Sequence, residues 1–166
     1  VEATGAKAPT LYAEFVNKEG LFRAVLDRYI SRFAARHEAL LFDDEKTVDR
    51  ALRDYFTAVA TCFTSKETPA GCFMINTSAA LAASSTDIAN TVKSRHAMQE
   101  QTLTHFLQQR QLRGELPPDG DVHQLAQFLN CILQGMSISA REGADFTKIM
   151  QIAETTLRLW PQVLQR

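Results

Sequence analysis

Residues 5–21 read GAKAPTLYAEFVNKEGL, and the fold turns on how this stretch is parsed. Gly5 suits a tight turn between helices, because a residue without Cβ enters backbone regions closed to the others. Pro9 suits the first turn of a short helix, where its missing N–H would have found no acceptor within the helix. Leu11 and Phe15, four apart, then face back toward a core and leave Thr10, Tyr12 and Ala13 pointing outward. Asn17 can cap a second, longer helix with its side-chain oxygen. A glycine turn, a very short helix and a longer one make a helix-turn-helix read from its middle onward. The major groove of DNA, about 12 Å wide, admits such a short helix, and threonine can bond or touch base edges there.

Outward from this stretch the apolar residues recur at helical steps almost everywhere, with no sustained two-residue alternation and no Asn-Gly hairpin signal. The expected fold is all-α. Leu21, Phe22, Val25, Leu26, Tyr29, Ile30, Phe33, Leu40 and Leu41 predict one long amphipathic helix, ended by Asp43-Asp44-Glu45. Val48, Leu52, Tyr55, Phe56, Val59 and Phe63 predict the next, before Pro69 and Gly71 break the chain. Cys72 to about Ala83 reads as a buried helix with embedded Asn76, Thr77 and Ser78. A long helix follows the cap-like Ser84-Ser85-Thr86 and stops at Gly114 and Pro117-Pro118. Another runs from Asp121 to Gly143, and the last from about Asp145 to the region of Pro161. Repeats, low-complexity tracts and long linkers are absent, so the helices after Asn17 are expected to pack as one body.

Composition excludes several classes. The 166 residues are 45% hydrophobic and 22% charged, the balance of a folded domain and not of a disordered chain. No apolar run reaches the roughly 18 residues that cross a bilayer, so no membrane partner is expected and the cytoplasm is the default location. Cys62, Cys72 and Cys131 are odd in number and widely spaced, without a CxxC pair, which favours reduced thiols over a disulfide framework. A net charge of −1 advertises no polyanion partner, but six bases stand against three acids between Lys7 and Arg36. On charge alone that excess equally describes a solvated helix face. His37, His96, His105 and His123 form no metal-ligand spacing, and no serine sits in a nucleophile elbow. Neither an enzyme, a metal site nor a cofactor is expected.

Taken together, Thr10-Leu11-Tyr12, Phe15 and Lys18-Glu19-Gly20-Leu21 resemble the TetR family of transcriptional regulators, whose short DNA-reading helix carries Thr-Leu-Tyr-x-x-Phe before a Lys-Glu-x-Leu start to the next helix. The likeness continues with Gly71-Cys72, Gly114-Glu115-Leu116 and Gln134-Gly135, in that order. It departs at Lys7, Ala8 and Glu14, where the family favours a serine cap, a base, and histidine or tyrosine. The resemblance implies a TetR-like helical bundle with a partial helix-turn-helix domain at 1–20 and a ligand-binding and dimerisation domain at 21–166. The chain opens at Val1 without methionine, and an upstream portion carrying the earlier helices of the head is expected.

The same resemblance implies the site residues. Ala8, Pro9, Thr10 and Ala13 would lie near base edges of double-stranded operator DNA, with Tyr12 and Lys18 on phosphates and Lys7 also among the DNA-binding residues. Helices between Leu21 and Leu133 would enclose a cavity for a small apolar or aromatic effector. Its candidate lining is Phe33, His37, Tyr55, Phe56, Val59 and Phe63, then Phe73, Asn76, Met98, Thr102, Phe106, Phe128 and Cys131. Each of these suits plain packing as well as ligand contact, and Asn76 stands out because an amide in an apolar helix needs a buried partner. Leu133, Gly135, Met136, Ala140, Ile149, Ile152, Leu157 and Trp160 would build a two-fold four-helix homodimer interface, or else fill a monomer core. Helix-turn-helix heads must stand about 34 Å apart, so the dimer belongs to the function. Two other readings stay open: a thiol sensor through Cys72 at a helix N-terminus, and a helical interaction module without DNA binding.

Overall fold

The computed structural model describes residues 7, 9–10, 13, 16–66, 71 and 85–165, and every regular element among them is helical. Asn17 starts the first long element as its residue type suggests, its Oδ1 accepting the Gly20 N–H at 2.8 Å. Helix α1, Lys18–Tyr29, continues through a π turn, Ile30–Ala34, into α2, Ala35–Ala39. These segments form one rod, shorter than the predicted helix: Leu40 and Leu41 fall in the turn beyond it. Only Phe22 and Leu26, one turn apart, are buried along α1, and none is buried in the π turn or α2.

Helix α3, Val48–Phe63, has its first N–H groups satisfied from two sides. Thr47 Oγ1 accepts from Arg50, and Glu115 Oε2, distant in sequence, accepts the Val48 N–H at 2.8 Å. Its inward stripe, Leu52, Tyr55, Phe56, Val59 and Phe63, is the one its periodicity predicts. Helix α4, Thr86–Leu112, is capped by Ser85, and the chain turns back at Gly114, where φ is +79°. A side chain other than glycine is strained in that conformation. Helices α5, Val122–Arg141, and α6, Phe146–Val163, start at Asp121 and Asp145, whose carboxylates accept the N–H groups of Gln124 and Lys148.

The core forms where α3 lies against both α5 and α6, while α4 packs along α5. Leu125, Leu129, Leu133 and Met136 from α5 meet Ile149 and Ala153 from α6 within one cluster. The rod reaches this body through α1 against α4 and α2 against α3. Its far end is pinned by Arg110, 2% exposed, whose guanidinium donates to the carbonyls of Leu41, Asp43 and Lys46 and to Glu115 Oε1 at 2.9 Å. A buried guanidinium is tolerable only because its donors are occupied in this way.

Candidate functional site

Two places on this frame correspond to the expected chemistry: the stub before α1 and the space between the rod and helices α3 and α4. In the stub, Pro9, Thr10 and Ala13 are helical, and the Thr10 N–H reaches Lys7 O at 3.0 Å. Lys7, Pro9, Thr10, Ala13 and the first helical residue, Lys18, are all exposed. Ala8 and Tyr12 lie outside the described residues. Between stub and rod, Val16 is 85% exposed with φ +69°, a conformation that β-branched residues rarely adopt.

Between rod and body lie two small hollows of about 90 and 30 Å³. The larger is bordered by Ile30, Ala34, Glu38, Arg95, Met98 and Thr102, the smaller by Tyr29, His37, Tyr55, Val59 and Phe63. Ala34, Glu38 and Gln99 border both. The π turn supplies Ile30 and Ala34 to the lining, and π turns inside α-helices recur at functional sites. Six expected lining residues, His37, Tyr55, Val59, Phe63, Met98 and Thr102, are thereby brought together.

Others fall elsewhere. Phe56 and Phe106 are fully buried packing residues, Phe56 edge-on to Tyr55 and Phe106 beneath the Arg110 guanidinium. Phe33 stacks on Tyr29 at 5.4 Å, with Arg32 over its other side, and borders neither hollow. Phe128 and Cys131 sit on the side of α5 away from both, Phe128 in an outer groove and Cys131 exposed. Cys72, Phe73 and Asn76 lie outside the described residues. Sequence reasoning missed Tyr29, Ile30, Ala34, Glu38, Arg95 and Gln99 as lining residues.

The cavity's polar groups are sparse and poorly matched. Gln99 Nε2 donates to Tyr55 Oη at 3.5 Å. Burial holds the His37 and His96 imidazoles below their ordinary range and pushes the Glu38 carboxyl above its own. His96, which borders neither hollow, has its Nε2 buried without a hydrogen bond among the described residues. Among the described residues no three histidine, cysteine or carboxylate side chains converge as a metal ion would require.

At the opposite side of the body, Phe128 and Ile132 of α5 and Ile152, Thr155 and Leu159 of α6 flank an open groove of about 500 Å³. The residues expected either to pair two copies or to fill a monomer core divide between the two sides of these helices. Leu133, Met136, Ala140, Ile149, Leu157 and Trp160 are buried within their own chain, which leaves them little surface for a partner. Ile152 and Gly135 remain on the outer side, and a Cβ added to Gly135 would meet nothing within 4 Å.

A helical body with an exposed stub before its rod and a hollow behind that rod fits the architecture of a one-component regulator. Residues 47–155 match the family described as Tetracyclin repressor-like, C-terminal domain. The chain belongs to the TetR family, whose members regulate transcription and are not enzymes. It is 73% identical over 165 residues to the HTH-type transcriptional repressor ComR of Escherichia coli (strain K12), covering 99% of this chain and 79% of that relative. It is 26% identical over 149 residues to the repressor BdcR of the same organism, covering 90% and 70%. Among solved structures, the TetR-family regulator CifR, carrying cysteine substitutions and complexed with 26-base-pair operator DNA, superposes with a TM-score of 0.86. That match has 26% identity and covers 96% of this chain and 83% of the other. No helix among the described residues is long and apolar enough to cross a membrane.

Proposed function

We propose that this chain acts in the cytoplasm as an operator-binding repressor, paired as a homodimer and released from double-stranded DNA by a small apolar or aromatic effector. Residues 1–20 close its DNA-reading head, and residues 21–166 form the effector-binding and pairing body. The observation that carries this is the stub: Lys7, Pro9, Thr10, Ala13 and Lys18 all face solvent just before and at the start of the rod. Kinship with the repressor ComR and likeness to CifR, solved on operator DNA, support it.

In this reading two copies pair through the outer faces of α5 and α6, using Phe128, Ile132, Gly135, Ile152 and Leu159, so that two stubs stand about one DNA turn, ~34 Å, apart. The apolar hollow behind the rod takes the effector, and a coupling of about 1–3 kcal/mol between hollow and stub suffices to loosen DNA markedly.

The test is fluorescence anisotropy of the full-length protein on fragments of the promoters it controls. Lys18→Ala is expected to weaken all fragments alike and flatten the salt dependence by about one phosphate contact. Thr10→Ala is expected to relax preference among fragments by about 1–3 kcal/mol at one position. Binding that ignored both substitutions would remove the stub from the interface.

A further inference from the structure

We propose that the effector carries a positive charge, an organic ammonium on a small apolar body, held against Glu38 where the two hollows behind the rod meet. This rests on reading those hollows as the effector site.

Among the described residues the Glu38 carboxylate has neither a hydrogen bond nor an ion pair, although it borders both hollows. Its neighbours on the lining are mostly apolar or aromatic, and burial alone accounts for its raised affinity for a proton. Other cations nearby are already engaged. Arg95, on the same lining, gives its guanidinium to Asp27 at 2.9 Å and to the Met98 sulfur at 3.7 Å. Lys46, beyond the rod's end, lies between Asp43 and Asp54. A half-buried carboxylate without a counter-charge bears an unrelieved desolvation cost, and a cation arriving with the ligand offsets part of it.

The surroundings select the kind of cation. Tyr29, Tyr55 and Phe63 present aromatic rings to the smaller hollow, and ring faces attract ammonium groups as well as apolar surface. The hollows, about 90 and 30 Å³, are small beside the few hundred Å³ of an ordinary ligand site, so a body of one ring enters only as the rod yields. A neutral ligand would seal Glu38 away from water still unpaired. An anionic one would meet the carboxylate while the nearest guanidinium is tied to Asp27.

The experiment compares benzylamine with benzyl alcohol, nearly equal in shape and differing in charge, on the full-length protein by calorimetry and by release from operator DNA. Benzylamine is expected to bind at least about tenfold more tightly and to be the better releaser. Glu38→Gln, which keeps the shape, is expected to reduce that advantage to about twofold or less. If that variant does not fold, Glu38→Asp, with the carboxylate withdrawn by one methylene, is expected to lose most of the advantage instead. Benzyl alcohol binding as well as benzylamine to the parent protein would overturn the charge reading and leave the effector site standing, as would an advantage that survives the substitutions. No binding of either compound to the parent would overturn both.

Discussion

The slab of α3, α5 and α6 and the rod of residues 18–39 are both helical, yet they are held by different forces. In the slab, long stripes meet face to face: Leu52, Tyr55 and Phe56 from α3, Leu125, Leu129 and Leu133 from α5, Ile149 and Ala153 from α6. The rod buries only Phe22 and Leu26 in the core, packs Tyr29 and Ile30 partly against it, and is tied besides by polar contacts. Arg23 reaches Asp87 at 3.1 Å, Arg95 reaches Asp27 at 2.9 Å, and Ser85 Oγ donates to Glu19 at 2.6 Å. Apolar burial resists any displacement, whereas exposed ion pairs contribute little and re-form easily. The slab is therefore the fixed part and the rod the adjustable one, and the candidate effector hollow lies along their boundary.

The largest expected effect sets equal residues in the two regions against each other. Leu129 and Leu26 are both fully buried. Leu129→Ala is expected to lower global stability by about 2–5 kcal/mol, since the slab cannot collapse around the void. Leu26→Ala is expected to open the rod locally, raising amide exchange along 18–39 while amides of α5 and α6 stay protected. Denaturant unfolding read alongside exchange distinguishes the cases. Equal global losses from both substitutions would merge the two regions into one cooperative unit.

A smaller effect concerns the boundary and its dependence on pH. Burial keeps His37 and His96 below the ordinary value of 6.5 and Glu38 above its ordinary 4.5. For the histidines the unfolded chain takes up protons first, so stability is fully present above about pH 6.5 and declines as pH falls below it. Glu38 works the other way: its contribution is present at low pH and is lost as pH rises through its raised native value. Thermal midpoints between pH 7.5 and 5.5 are expected to fall with pH in the parent. They should fall less in His37→Gln/His96→Gln and more steeply in Glu38→Gln, where the opposing group is gone. A profile flat in the parent and in Glu38→Gln alike would mean that the boundary is wetter than the structure describes.

The same comparison explains what the sequence let a reader see. Caps and breaks were legible because each rests on one local chemistry: Asn17, Ser85, Asp121 and Asp145 do accept N–H groups, and Gly114 and Gly143 do take positive φ. The π turn was not, since one extra residue per turn over 30–34 leaves the apolar spacing looking helical. Nor was the outward side of the slab. Periodicity groups Leu133 with Met136 and Phe128 with Ile132, but it does not tell which apolar side meets the chain itself and which stays outside. Glu38 escaped for a related reason: a single acid on a helix reads as solvated until the helix facing it is known.

The smallest expected effect on stability sharpens the comparison most. Arg95→Ala removes a pair whose side chains are 31% and 65% exposed, and Arg23→Ala one at 53% and 64%, so each is expected to change unfolding free energy by less than about 1 kcal/mol. Salt of about 1 M is expected to reproduce part of the loss in the parent and to cost the doubly substituted protein less, since its remaining pairs, such as Lys46–Asp54 and Arg113–Asp44, are common to both. If the rod carries the signal from hollow to stub, the doubly substituted protein still binds operator DNA in the absence of effector, because the stub's exposed residues are untouched. Compared at saturating effector, since Arg95 also borders the hollow, its response is expected to weaken, because α1 is then held to α4 less tightly, with the Glu19–Ser85 contact left. Anisotropy titrations with and without effector measure that ratio directly. A response that survives both substitutions would shift the coupling to the apolar contacts of Phe22 and Leu26, and with it the boundary between fixed and adjustable parts.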